Sequence, residues 1–137
     1  MRIMLEGSFH GADPEVIREY RMGQLLGGPL LLDAVPSTNV LVNLYDGGPR
    51  SEVSYSIDGS ANRPMQRILR TDPFVTELYL RNADTKKPWV QPTPCTHLWQ
   101  AALPESVTAG THRLLVLARD ESGANHQGGT VLEVRNG

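Results

Sequence analysis

Cys95-Thr96-His97-Leu98-Trp99 sets a thiol and an imidazole two residues apart. On an extended strand, residues 95, 97 and 99 share a face, so the thiol and the imidazole lie side by side. Such a pair can serve as nucleophile and base. It also needs a third group to orient the imidazole, and none is evident beside it. Cys95 is the only cysteine. Neither an intrachain disulfide nor a thiolate zinc site can therefore be built from this chain alone. His97 and Trp99 read instead as candidate contact residues, toward a ligand or another domain.

The other histidines are His10, His112 and His126. No two of the four stand as His-x-His or His-x₃-His, so no compact metal motif is present and no metal ligand is assigned. His112 opens the most regular apolar alternation in the chain and reads as a half-buried side chain bonded to a loop carbonyl. His126 sits in Gly123-Ala124-Asn125-His126-Gln127 and reads as a solvated turn residue. Asp46, Asp58 and Asp120 fall in turns, where an aspartate bonds its own backbone. Asp72, Glu77, Asp84, Glu105 and Glu121 are scattered and give no paired carboxylates. Gly23 to Gly28 lacks the Lys and Ser or Thr of a phosphate-cradling loop. Arg63, Arg67, Arg70, Lys86 and Lys87 form no stripe interleaved with aromatics, and the net charge is −2. Nucleic acid is therefore not an expected partner. Trp89 lies in a proline-rich stretch, where its ring can stack on a sugar, dock at an interface, or cap the end of a core.

The elements that hold these residues are mostly strands. Asp13-Pro14-Glu15 has the cap, the first-turn proline and the acid of a helix start, which predicts a short helix near 14–22. Arg2 to Glu6 reads as extended, and Leu30-Leu31-Leu32 as the beginning of a strand. Val40, Val42 and Leu44 alternate with Leu41, Asn43 and Tyr45, predicting a strand with one wetter face. Val53, Tyr55 and Ile57 predict a second strand, and Asp58-Gly59 a hairpin turn after it. Met65 to Arg70 reads as its return strand, with Met65 or Ile68 inward. Phe74, Thr76, Leu78 and Leu80 alternate with Val75, Glu77 and Tyr79, which predicts a further strand. Pro88, Pro92 and Pro94 favour an extended connection. His97 to Leu103 recovers strand character. Thr111 to Arg119 is apolar on both faces in its middle, which places it centrally. Thr130 to Arg135 closes the chain.

About seven short strands at this spacing specify a mostly β protein, an immunoglobulin-like antiparallel β-sandwich with a short N-terminal helix. The 137 residues fit one domain of ordinary size, with 13 glycines and 10 prolines marking frequent turns. Residues 1–37 read as an extension carrying the helix and packed on the sandwich, and 38–137 as the sandwich itself. Met1 to Glu6 meets an acid before any apolar run develops, so no signal peptide is expected here. Leu114 to Ala118, the longest apolar run, is too short for membrane insertion.

Between 38 and 134 stand, in order, Val40-Leu41-Val42-Asn43-Leu44-Tyr45-Asp46-Gly47, Ser51-Glu52-Val53, and Arg70-Thr71-Asp72-Pro73-Phe74. Pro94-Cys95-Thr96-His97-Leu98-Trp99, Ala102-Leu103-Pro104 and Gly110-Thr111-His112 follow, the last leading into a strand that ends at Asp120. This ordered set resembles the C-terminal domain of bacterial calcineurin-like phosphoesterases. The resemblance implies an accessory β-sandwich beside a catalytic domain of the same parent chain. That absent domain is expected to hold two divalent metals through Asp-x-His, Gly-Asp, Gly-Asn-His-Asp/Glu and Gly-His-x-His motifs. None of these occurs here, so no catalytic residue and no cofactor carry over. Ala124-Asn125-His126-Gln127 lacks both the glycine and the acid of the nearest motif. The resemblance further implies a periplasmic or secreted bacterial parent. The expected role is a non-catalytic module that packs against or positions the catalytic domain. The competing reading is a free-standing module that binds carbohydrate or a cell-envelope surface through Trp89.

Overall fold

The computed structural model describes residues 1–6, 29–82 and 93–136. The helix expected near 14–22, His10 and Trp89 lie outside the described residues. Nine strands follow in chain order: β1 (Arg2–Glu6), β2 (Leu30–Leu31), β3 (Asn39–Asn43), β4 (Glu52–Ile57) and β5 (Arg63–Pro64), then β6 (Gln66–Thr71), β7 (Pro94–Ala102), β8 (Gly110–Arg119) and β9 (Asn125–Arg135). A 3-10 turn at Leu32–Ser37 and one α-helix, α1 (Pro73–Arg81), complete the described elements.

The strands form two sheets, ordered β1-β3-β7-β6 and β2-β9-β8-β4-β5. With β3, β4, β6, β7, β8 and β9 as strands B, C, D, E, F and G, this is the immunoglobulin order, A-B-E-D against G-F-C. All pairings are antiparallel except β2 with β9, where Leu30 and Leu31 lie parallel to Val134 and Arg135. Both β1 and β2 come from the span before Thr38, so that span supplies an edge to each sheet.

Alternation builds the interior. Val53, Tyr55 and Ile57 of β4 face Leu114, Val116 and Ala118 of β8, and Leu132 and Val134 of β9, all buried. Across from them lie Leu5, Val40, Val42 and Trp99 of the first sheet. The Tyr55 hydroxyl donates to the Ala102 carbonyl at 2.6 Å, bonding the two sheets directly, and burial pushes its pKa up. β8 is central in its sheet, as its two apolar faces require.

Three expectations are corrected. Phe74 to Arg81 is a helix, not a strand. Asp72 Oδ1 accepts the Phe74 amide at 2.8 Å, Pro73 occupies the first helical position, and the Thr76 amide bonds the Asp72 carbonyl at 3.0 Å. Those are the cap and the first turn of a helix. Over eight residues the apolar positions fit period 2 and period 3.6 alike, so the cap decides. Next, Met65 to Arg70 does not return along β4. Arg63 and Pro64 pair with β4 and the Met65 amide still donates to the Val53 carbonyl at 2.8 Å; past Met65 the chain crosses, and β6 pairs with β7 in the other sheet. Met65 fills the interior while Ile68 packs on the outside. Finally, the face of β3 expected to be wetter is buried, Leu41 fully and Asn43 to 4 % exposure.

Candidate functional site

The outer face of the first sheet gathers the residues singled out for chemistry. At its centre Met4, Leu41 and Leu98 form a second apolar cluster, with Ile68, Phe74 and Cys95 packed against it. Burying such side chains contributes roughly 1.5–3 kcal/mol each. Around that patch stand Arg2, Asn43, Asp72 and His97.

A bulge determines which side chains arrive there. Ile68 pairs with Leu98 and Arg70 with Cys95, two steps along β6 against three along β7. The extra residue of β7 reverses the alternation. Cys95 and Leu98 therefore share the outer face, while Trp99 turns inward at 2 % exposure. Residues 95, 97 and 99 do not share one face, contrary to the simple strand reading. Trp99 is placed in the interior rather than at a contact surface. The Thr96 carbonyl within the bulge is satisfied by Arg67 Nε at 2.8 Å.

The polar groups form one directed chain. The Asp72 carboxylate can only accept, so the Asn43 amide presents Nδ2 to it, at 2.6 Å from Oδ2. Asn43 Oδ1 is then turned to His97 Nδ1, 2.6 Å away, which must donate. The one proton of a neutral His97 ring is thereby fixed on Nδ1, leaving the lone pair on Nε2. Arg2 Nη1 lies 3.6 Å from Asp72 Oδ2, and the Arg2 guanidinium stacks 3.7 Å over the Phe74 ring. Asn43 is thus the orienting group that local sequence did not reveal, since it comes from a strand 54 residues away.

This chain runs toward the helix cap, not toward the thiol. Cys95 Sγ lies 3.2 Å from Nδ1 and 3.4 Å from Nε2 of His97. A sulfur nearly equidistant from both ring nitrogens lies along the lone-pair direction of neither. As arranged, the imidazole holds Asn43 and does not aim a base at Cys95. Its chemistry is structural: Asp72 caps α1, Asn43 and Arg2 hold Asp72, and His97 holds Asn43. A second ion pair lies on this sheet, with Arg70 forming a bidentate contact to Glu6 at 2.7 Å for each oxygen.

Two His–carboxylate contacts stand on the second sheet. His112 bonds Asp58 at 2.6 Å and the Thr108 carbonyl at 2.7 Å, which is the loop carbonyl its sequence context suggests. Asp58 does not bond its own turn's backbone as expected; its Oδ1 accepts from the Arg113 amide at 2.8 Å. His126 is the second residue of β9 rather than a free turn residue, and its Nε2 lies 2.8 Å from Asp120 Oδ2. That bond, together with the Ser122 hydroxyl, holds the Asp120 carboxyl well below the usual range.

Among the described residues, no group of three or more His, Cys, Asp or Glu side chains is placed to hold a metal ion. The donor set of a two-metal phosphoesterase centre therefore does not fit these residues. A groove of about 620 Å³ runs past Ser51, Glu52, Asn62, Arg119 and His126, and a hollow of about 290 Å³ lies beside His112. Among the described residues, no Phe, Tyr or Trp ring lines either one. No described helix is long and apolar enough to cross a membrane.

Residues 8–126 match the family model described as the C terminal of calcineurin-like phosphoesterase. The chain belongs to that family. The calcineurin-like C-terminal match takes in the strands from β2 through β8, the helix α1, and Asn43, Asp72 and His97 of the polar chain, while Arg2 lies ahead of it. It also reaches back to residue 8, ahead of the pieces that carry the resemblance in sequence. No curated protein matches the chain significantly.

Proposed function

We propose that this domain is a non-catalytic module that packs against, and positions, the catalytic domain of a calcineurin-like phosphoesterase. The observation that carries the reading is family membership over residues 8–126. The geometry supports it. His97, Asn43 and Asp72 form a chain that ends on a helix cap, and the His–carboxylate contacts of the second sheet join turns to strands. The partner is the catalytic domain of the same parent chain, which would carry the two divalent metals. The parent is a metal-dependent hydrolase in a bacterial periplasm or outside the cell.

Deleting the module from the parent enzyme, and adding it back in trans, tests this. The expected result is a lower melting temperature or an altered kcat/KM on deletion, with calorimetric binding of the added module to the catalytic domain. Identical stability and kinetics, with no heat of binding, would overturn the positioning role. Phosphoester turnover by this chain alone with manganese or zinc would overturn the non-catalytic reading.

A further inference from the structure

His112 joins three parts of one end of the sandwich. It is the third residue of β8, its Nδ1 meets Asp58 Oδ2 in the turn between β4 and β5, and its Nε2 meets the Thr108 carbonyl in the loop before β8. That loop places Leu103 and Val107 in the core at 2 % and 8 % exposure, closing this end. Asp58 is the one described non-glycine residue with a positive φ, 51°. It is held there by bonds exchanged with Arg113: the Asp58 amide donates to the Arg113 carbonyl at 2.9 Å, and the Arg113 amide to Asp58 Oδ1 at 2.8 Å.

Both partners of the imidazole are acceptors only. A carboxylate has no proton to give, and neither has a carbonyl. A neutral histidine carries one N–H and can satisfy one of them. Two bonds of 2.6 and 2.7 Å need both nitrogens protonated, and lengths this short suit charge-assisted bonds. Immunoglobulin domains often place a tyrosine near the start of strand F, whose hydroxyl bonds backbone a few residues upstream. His112 occupies that place on β8. A phenol there keeps its proton to about pH 10, whereas an imidazole changes charge near neutrality.

We propose that His112 is a proton-operated latch that fastens the Asp58 turn and the 104–109 loop to β8, and that releases this end of the sandwich as pH rises. The charged groups facing it are Asp58 from the turn and Arg63 of β5, which lines the same hollow; its cross-strand neighbour on β9 is the apolar Leu132. The hydrogen bonds to Asp58 and Thr108 raise the His112 pKa above 6.5. Its contribution is complete below 6.5 and is lost as pH rises through the raised value. The Asp58 pKa is lowered, first by the Arg113 amide and then by His112. Its contribution is present above 3.8 and is lost as pH falls through the lowered value. The latch is therefore strongest between 3.8 and 6.5. The second pair differs: His126 contacts Asp120 through Nε2 alone, and a neutral ring can donate that bond.

Imidazole NMR of the full chain from pH 4 to 9 tests the latch, together with melting temperature over the same range. Both His112 nitrogens should carry protons at pH 6, with a midpoint above 6.5. Each unit of elevation corresponds to about tenfold weaker fastening once the proton has left. The amide of Val107, bonded to the Pro104 carbonyl, should lose exchange protection across that midpoint after correction for the intrinsic rate. H112Q should flatten the neutral-to-alkaline fall in melting temperature, and H126Q should leave it in place. Should H112Q not fold, D58N is read by NMR instead, and the His112 midpoint should drop. A wild-type midpoint at or below 6.5, a single protonated nitrogen at pH 6, or parallel melting profiles for wild type and H112Q would each overturn the latch.

Discussion

The two faces of the first sheet come from alternate residues of the same strands, yet they are finished differently. The inner face, with Leu5, Val40, Val42 and Trp99, meets another sheet through apolar side chains. The outer face has an apolar centre of Met4, Leu41 and Leu98, bordered by Arg2, Asn43, Asp72 and His97. The difference follows from what covers each. A sheet brings backbone groups already paired along its ladders, so volume alone must be matched. A short helix brings unpaired amides at its first turn: Asp72, just ahead of α1, supplies the carboxylate, and the sheet supplies Asn43 and Arg2 to hold it. Asn43, a polar residue almost fully buried beside two apolar neighbours, is explained by that need.

The largest expected effect breaks the inner face. Trp99 packs over Gly47 so closely that a Cβ there would lie 2.5 Å from the ring. W99A should cost about 3–5 kcal/mol in urea unfolding; a loss below about 1 kcal/mol would mean that the interior is not organised around this ring. D72A comes next, at about 1–3 kcal/mol, because it leaves the Asn43 and Phe74 donors without their acceptor. Native-state hydrogen exchange should show the loss in α1 first, with β4 and β8 still protected. Equal loss across both sheets would show that the two faces are one cooperative unit. R50A supplies the lower limit. Arg50 is 87 % exposed and 3.9 Å from Glu121, so its removal should change stability by no more than about 0.5 kcal/mol in thermal melts. A larger change would give loop charge a weight comparable to the outer face.

Much of the interior was legible. The alternation of Val53-Tyr55-Ile57 names the buried side of β4 correctly, and the apolar middle of Thr111 to Arg119 gives β8 its central place. Asp58-Gly59 marks a true reversal, with both residues at positive φ. The helix α1 was partly legible: Asp72-Pro73 is the same cap-and-proline pair as Asp13-Pro14, although the alternation after it reads as a strand. The bulge in β7 was not legible. Nothing in Cys95-Thr96-His97-Leu98-Trp99 marks the extra residue, because a bulge is defined by the strand opposite. The grouping of Cys95 with Leu98, and of His97 with Asn43, follows from that one slip of register.

The sequence by itself determined the composition of the layers: which strands are apolar on one side, where turns interrupt them, and that four dispersed histidines and one cysteine make no compact metal motif. These are local properties, set by side-chain period and by the backbone preferences of Gly, Pro and Asp. Only the tertiary structure decided which polar groups meet. Asn43 and His97, and likewise Asp58 and His112, are 54 residues apart in the chain and 2.6 Å apart in space. Hydrogen bonds depend on distance and direction over a few tenths of an ångström, and sheet register fixes those only once both partners are in place.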